Sequence, residues 1–251
     1  MMNLTVASIV YNENSNIKRF LNAVHHIADE VIIVDSFSTD NTKEICLGYS
    51  KVKFYEKKFE GYGSQKNYTL DLCSGKWILF LDADEIPDQE LINQIFEITQ
   101  KNSSKHDVYK IKLDNILFGS SIRYGGWGNV YRERLFKKEA GKYSDDIVHE
   151  KFLTNKDIGT ISGKISHYTY KNIHHHIEKI NLYSQMMAEK MLIDGKRISL
   201  FKIVMGPVFT FIKTYFIRHG WIDGMVGYYC SVTLSYYTFL KYLKLYEKLK
   251  N

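Results

Sequence analysis

As far as Asp84, the chain alternates between short runs rich in Val, Ile and Leu and longer stretches whose apolar side chains recur at helical spacing. "LTVASIVY" is followed by "NIKRFLNAVHHIAD", where Ile17, Phe20, Leu21, Val24 and Ile27 share one helical face. "EVIIVD" precedes the helical "STDNTKEICLGY", "VKFYEKKF" precedes "GSQKNYTLDLCSG", and "WILFLDAD" closes the series. Strand and helix patterns that alternate in this way predict a largely parallel sheet with helices on both faces, an α/β fold whose ligands bind beyond the carboxyl ends of the strands. Further along, "ELINQIFEITQK" reads as an amphipathic helix, and "DVYKIKLDNILFG" and "NVYRERLFKKE" read as antiparallel strands. The glycine-rich "SSIRYGGWGN" between them lacks the spacing of a nucleotide-cradling loop and reads as a flexible turn or a lid. From about Asn172 onward the pattern is helical.

The ligand-binding edge of such a sheet carries acids. Glu13 follows the first strand, Asp35 ends the second, and "WILFLDADEIPD" drives an apolar strand straight into Asp82, Asp84, Glu85 and Asp88. Any one of these acids could be a helix cap. Together, on that edge, they suggest a divalent cation and phosphate, because Mg²⁺ and Mn²⁺ take carboxylate oxygens and complete their shells from substrate phosphates. Alternation along an extended strand end would put Asp82 and Asp84 on one side.

The formal charge of +6 is compatible with phosphates, nucleic acid or an anionic membrane, and does not choose among them. A nucleic-acid or membrane module without catalysis leaves the strand-end acids unexplained, so no nucleic-acid partner is expected. A nucleotidyltransferase would carry a basic, glycine-rich loop after the first strand, where "YNENSN" stands here. Cys46, Cys73 and Cys230 are too scattered for a zinc cluster or disulfide framework, and the N-terminus reads as a strand entering a loop; both point to the cytoplasm.

"ASIVYNENSNIKRFL", "EVIIVDSFSTDNT", "GYGSQKNYTLDLCSGKWILFLDADE" and "DDIVHEKF", in that order, resemble the family 2 glycosyltransferases of the GT-A fold. The likeness is to the branch of lipopolysaccharide-core β-1,4-glucosyltransferases, and it runs roughly from Leu4 to Tyr170, with "YFIRHGWIDGMVGYYCSV" resembling that branch again. It implies a catalytic domain over residues 1–170 and a helical, aromatic-rich region over 171–251. Carried onto this sequence, Tyr11, Asn12 and Glu13 border a nucleoside, Glu13 contacting the ribose; Asp35 accepts from the base, with Ser38 and Asp40 nearby. Lys66 lies near the donor phosphates, and Asp82 and Asp84 form the metal motif, Asp84 as the direct ligand. Residue-level alternatives stay open: Glu13 as a cap of the next helix, Lys66 as a solvated helix lysine.

Inverting transfer needs a base for the acceptor hydroxyl on the side of the sugar away from the diphosphate. The late "VHE" element of the resembling family sits on the acceptor side, which places Glu150 first as base and Asp146 second; "VHE" departs from the Glu-Asp pair common in that family. His149 either completes the metal site, orients a carboxylate or is structural, and His167 is a second such histidine. The adjacent His174, His175 and His176 point in different directions on a helix and read as surface residues.

The C-terminal region interleaves Phe, Tyr, Ile and Leu with Lys and Arg. Its longest uncharged run, Gly224 to Leu240, is too short and too diluted for a spanning helix. Amphipathic helices of this kind fit either attachment to a membrane surface or packing on the catalytic domain and a homodimer interface. The whole reading is a glycosyltransferase with a Mg²⁺ or Mn²⁺ cofactor. It would move a hexose from a nucleotide-diphosphate sugar, UDP-linked, to a glycan or glycolipid acceptor at the cytoplasmic face of the inner membrane. The competing reading is a non-catalytic membrane- or glycan-binding protein on the same fold.

Overall fold

The computed structural model describes residues 3–101, 103–144 and 150–250. The predicted strand–helix alternation is present: β1 (Leu4–Val10), α1 (Ile17–Val24), β2 (Glu30–Asp35), α2 (Thr42–Leu47), β3 (Val52–Glu56), α3 (Tyr62–Leu72) and β4 (Trp77–Phe80). After them come β5 (Glu85–Pro87), α4 (Gln89–Gln100), β6 (Val108–Leu117), β7 (Ser120–Ser121), β8 (Val130–Lys137), β9 (Lys142–Tyr143), β10 (Phe152–Leu153) and β11 (Ile158–Tyr168). The main sheet runs β3-β2-β1-β4-β8-β6-β11-β5, with β7 beside β6. The β3-β2-β1-β4 stretch is parallel, and the recorded pairings beyond it are antiparallel.

Burial on both faces explains why the first strands are apolar throughout. Val31, Ile33, Trp77 and Leu79 point into a core filled by Ile17, Phe20 and Leu21 of α1 and Leu91 and Ile95 of α4. Their neighbours Ile32, Val34, Ile78 and Phe80 point to the other face, onto Leu70 and Cys73 at the end of α3. The cysteines are free and buried, and burial pushes each thiol up to about 12. They are core residues, as their spacing implied.

Two compact units result: the residues up to Leu113 with Val130–His167, and Asp114–Asn129 with the residues from Tyr168 onward. Within the second unit, α5 (Ile173–Ile193), α6 (Leu200–Ile212, continuing through a π-turn to Ile217) and α7 (Gly224–Lys250) pack together, α7 contacting both α5 and α6. Lys244 Nζ on α7 donates to Asn181 and Ser184 of α5 at 2.7–2.8 Å. The glycine-rich segment is tied into this unit: the Arg123 and Tyr124 amides donate to Asp223 Oδ2, and Gly125 N donates to the Arg218 carbonyl. His176 also departs from the surface expectation. It is buried on the α5 face shared by Ile180, Ser184 and Ala188, with its ring 3.9 Å from that of Tyr170, and burial lowers it to about 4.

One buried acid of the first unit is structural. Glu30 accepts from Thr5 Oγ1, Ser74 N and Ser74 Oγ at 2.6 Å each and from Lys53 Nζ at 2.7 Å. Burial works to raise its carboxyl, but Lys53, Ser74 and Thr5 hold it at about 2 against an ordinary 4.5. A depressed carboxylate stabilises the fold fully above its unfolded value and loses that contribution as pH falls through the folded one. Glu30→Gln is therefore expected to cost about 2–3 kcal/mol at neutral pH. In urea titrations, the gap between variant and parent should close as pH drops from 4.5 toward 2.

Candidate active site

The candidate site is built at the carboxyl end of β4. The strand stops at Phe80, and residues 82–85 form a turn in which Glu85 N donates to the Asp82 carbonyl at 2.9 Å. The strand alternation invoked for Asp82 and Asp84 does not extend this far, because the chain leaves the strand at Phe80 and turns; the charges of both acids still reach His167. Glu85 is fully buried; its Oε2 accepts from Asp82 N at 3.1 Å and its Oε1 accepts from Arg134 Nη2 at 2.5 Å. The same Nη2 donates to Asp82 Oδ2 at 2.7 Å, and Lys66 Nζ lies 3.7 Å from Asp82 Oδ1.

Arg134 arrives through strand register. β8 runs antiparallel to β4 with Leu135 opposite Leu79, which sets Arg134 against the acids that follow β4. Burial works to raise the Asp82 carboxyl, yet Arg134 and then Lys66 hold it well below the usual carboxylate range. For Glu85 burial wins, and its carboxyl is raised. Burial likewise opposes the charge on Arg134, but Asp82 and Glu85 hold it protonated. Arg134 Nε is buried without a hydrogen-bond partner among the described residues, as is the Tyr143 hydroxyl.

Asp84 pairs with a histidine. β5 pairs antiparallel with β11, Glu85 opposite His167, so the imidazole lies beside the residue before Glu85: His167 Nε2 is 3.6 Å from Asp84 Oδ2. Burial lowers His167, but the hydrogen bond and charge of Asp84 outweigh it and the imidazole is raised. Gly163 makes this register reachable. Its φ is +86°, and a Cβ there would lie 2.4 Å from Leu91 N at the start of α4.

The third arm comes from α3. Asn67 Nδ2 donates to the Tyr143 carbonyl at 3.0 Å and Tyr143 N donates back to Asn67 Oδ1 at 2.8 Å, fixing β9 beside the helix. Lys66, next along, then meets Glu150, just before β10: Nζ to Oε1 is 2.6 Å. Its ammonium lies 5.1 Å from the Tyr143 ring and 5.4 Å from that of Phe80. Lys66 is 4 % exposed, so the solvated reading does not hold.

The loops after β1 and β2 are stitched to each other. Asn12, at φ 54°, donates from its amide to Ser38 Oγ at 2.8 Å, and its side chain accepts from Thr39 N at 2.8 Å. Ser38 N and Oγ donate to the two oxygens of Asp35, which is buried and here orders the loop. Asp40 accepts from Thr42 and from Asn14 N, and Glu13 N donates to Thr42 Oγ1 at 2.9 Å while Glu13 Oε2 accepts from Asn16 Nδ2 at 2.8 Å. Tyr11 is exposed.

The structure thus brings Lys66, Asp82 and Glu150 into one chain of charge, with Asp84 beside them in sequence and paired to His167. Tyr11, Asn12, Glu13, Asp35, Ser38 and Asp40 form a separate loop cluster at the ends of β1 and β2. Asp146 and His149 lie outside the described residues. Among the described residues no three His, Cys, Asp or Glu side chains converge as a metal cage. Asp84 and His167 offer one carboxylate and one imidazole, a donor set that suits a divalent cation whose remaining positions are filled by diphosphate oxygens. The sequence reading does not reach Arg134; the signal for it is that an acid as deeply buried as Glu85 requires a cation, and "RERLF" is a basic strand of fitting length.

Residues 5–160 match the family described as Glycosyl transferase family 2. The chain belongs to that family. An "Uncharacterized glycosyltransferase" of Rickettsia prowazekii is 30% identical over 98% of this chain and 87% of its own length. The lipopolysaccharide core biosynthesis glycosyltransferase LpsC of Rhizobium meliloti is 28% identical over 98% of this chain and 92% of its own. Among solved structures, the mannosyltransferase PcManGT of Pyrobaculum calidifontis, in complex with GDP-Man and Mn²⁺, superposes with a TM-score of 0.52 at 16% identity, over 99% of this chain and 88% of that one. Glucosyl-3-phosphoglycerate synthase of Mycobacterium tuberculosis, with Mn²⁺ and UDP bound, gives 0.50 at 14% identity over 79% of this chain and 82% of that one. The family, the α/β fold and glycosyltransferase chemistry are thereby shown.

Proposed function

We propose that this chain is a metal-dependent, inverting hexosyltransferase. It would take a nucleotide-diphosphate sugar, UDP-linked, and a hydroxyl of a lipid-linked or cell-envelope glycan, and work at the cytoplasmic face of the membrane. The observation that carries the reading is the strand-end cluster itself, in which Asp84 with His167 and Lys66 with Glu150 flank Asp82. The LpsC relative supports a core-oligosaccharide acceptor, and the UDP, GDP-Man and Mn²⁺ complexes of the structural neighbours are consistent with a nucleotide-sugar donor and a divalent ion.

In this reading Asp84 and His167 hold the cation, with Asp82 alongside in the family's metal motif. When bound, the ion offsets the charge that builds on the departing diphosphate. Lys66 adds a second positive group on the donor side. Glu13, Asp35, Ser38 and Asp40, in the joined loops, hold the nucleoside with Tyr11 and Asn12. Glu150 takes the proton from the acceptor hydroxyl as that oxygen bonds to the anomeric carbon and the carbon–phosphate oxygen bond breaks. Asp146, four residues before Glu150, and His149, next to it in sequence, are the reserve base and ligand.

Calorimetric titration with UDP, GDP and their glucose, galactose and mannose conjugates, with and without Mn²⁺, tests the donor site. One nucleotide is expected to bind with metal and to bind weakly without it. Asp84→Asn is expected to weaken the metal-supported affinity roughly 100-fold, in line with removal of one preorganised charge from a site. Absence of binding by every nucleotide under every metal condition would overturn the donor assignment.

A further inference from the structure

The C-terminal unit leaves one side of a helix uncovered. α6 packs on α7 through Gly206, where a Cβ would lie 2.9 Å from the Tyr242 ring, and through Thr210, whose Oγ1 donates to Thr238 Oγ1 at 3.4 Å; Ile203 is buried. Ser235 Oγ on α7 donates to the Pro207 carbonyl at 2.8 Å on the same side. The opposite side presents Phe201, Val204, Val208, Phe209, Ile212 and Phe216, all exposed and at helical spacing. Trp221, Ile222 and Met225, just beyond, are exposed as well, Met225 by 79 %. A contiguous apolar face of this extent marks an interaction surface.

Charge decides what covers it. Residues 196–250 contain nine Lys and Arg against two acids, and so carry all of the chain's net positive charge. One of the two acids, Asp223, is occupied by the Arg123 and Tyr124 amides at 3.0 and 2.8 Å. Lys202 and Lys213 are eleven residues apart, three helical turns, and therefore border the apolar face on one edge. A second copy of this chain would set these cations against themselves across a two-fold contact. Leu200–Ile217, with mean hydropathy 1.5, is long and apolar enough to cross a membrane, a stretch the uncharged run Gly224–Leu240 had masked in the sequence. Yet its other side is committed to α7 and carries Thr210 and Thr214, whose hydroxyls donate to carbonyls one turn back. Anionic headgroups satisfy both features at once: acyl chains cover the apolar side chains, phosphates meet the lysines, and Trp221 sits at headgroup level.

We propose that the outward face of α6, with the following turn Gly220–Asp223, is a docking surface for an anionic lipid bilayer, with α6 lying in the plane of the interface. The proposal stands apart from the donor-site reading, because its test requires no turnover. Full-length protein is mixed with vesicles of phosphatidylcholine alone or with phosphatidylglycerol, and the bound fraction is measured by flotation. Binding to the mixed vesicles is expected, exchanging freely into fresh vesicles. Val204→Glu with Phe209→Glu should reduce binding more than about tenfold, since both charges enter the acyl boundary. Lys202→Glu with Lys213→Glu should reduce it roughly tenfold and flatten its salt dependence. Matched urea midpoints keep either result from being a folding defect. No binding to anionic vesicles, or undiminished binding by the Glu pair, would overturn the proposal. So would retention in the first vesicles, which indicates a spanning helix, or a dimer broken by the Glu pair without vesicle binding.

Discussion

Arg134→Met is expected to destabilise the protein by about 3–5 kcal/mol at neutral pH, the scale for removing one partner of a buried ion pair. Arg134 Nη2 is shared between Asp82 Oδ2 and Glu85 Oε1, and Glu85 has no access to water, so the variant strands a buried carboxylate. The pH dependence fixes the cause. Burial already raises the Glu85 carboxyl, and without Arg134 it rises further. An acid raised in the folded state stabilises fully below its unfolded value and loses that contribution as pH rises through its raised folded value. The deficit of Arg134→Met, measured by urea unfolding, should therefore shrink from pH 7.5 to pH 5. Adding Glu85→Gln to Arg134→Met should recover part of the loss, because the second change removes the stranded charge. A deficit below about 1 kcal/mol, or one indifferent to pH, would show that the cluster is open to solvent in solution.

What was legible in the sequence follows from the range of the forces involved. Strands β1 to β4 and helices α1 to α3 announce themselves through apolar spacing that each segment carries alone, as do the acids that follow β4. Arg134 could not be placed in the same way. Its distance of 52 residues from Asp82 is closed by the register that sets Leu135 opposite Leu79, and register is decided by the packing of both strands. His167 reaches Asp84 by the same means, through Glu85 opposite it on β11. The segment 114–129 joins the C-terminal helices because Asp223 accepts from Arg123 and Tyr124, a contact across a hundred residues that no local pattern encodes. His176 is a different case. Read as one of three adjacent histidines it looked superficial, whereas its four-residue spacing to Ile180, Ser184 and Ala188 marks the buried face of α5.

Glu150→Gln is expected to lower turnover about 1,000-fold, within the 10²–10⁴ range for loss of a general base, while leaving donor affinity nearly unchanged. The separation rests on the geometry of Lys66. Its ammonium is 2.6 Å from Glu150 Oε1 and 3.7 Å from Asp82 Oδ1, so it links the proposed base to the proposed donor-side acid. A glutamine at 150 keeps an oxygen for that ammonium to donate to, so the donor side stays ordered, but it cannot take a proton. Lys66→Met would act differently, weakening donor binding and leaving Glu150 and Asp82 without their shared cation. In steady-state assays with the donor identified by calorimetry, Glu150→Gln should lower kcat and kcat/KM together, the mark of an interaction made in the transition state. If Glu150→Gln instead turns over within tenfold of the parent, Glu150 serves to hold Lys66 in place. The base then falls to Asp146, and Asp146→Asn should show the loss of turnover.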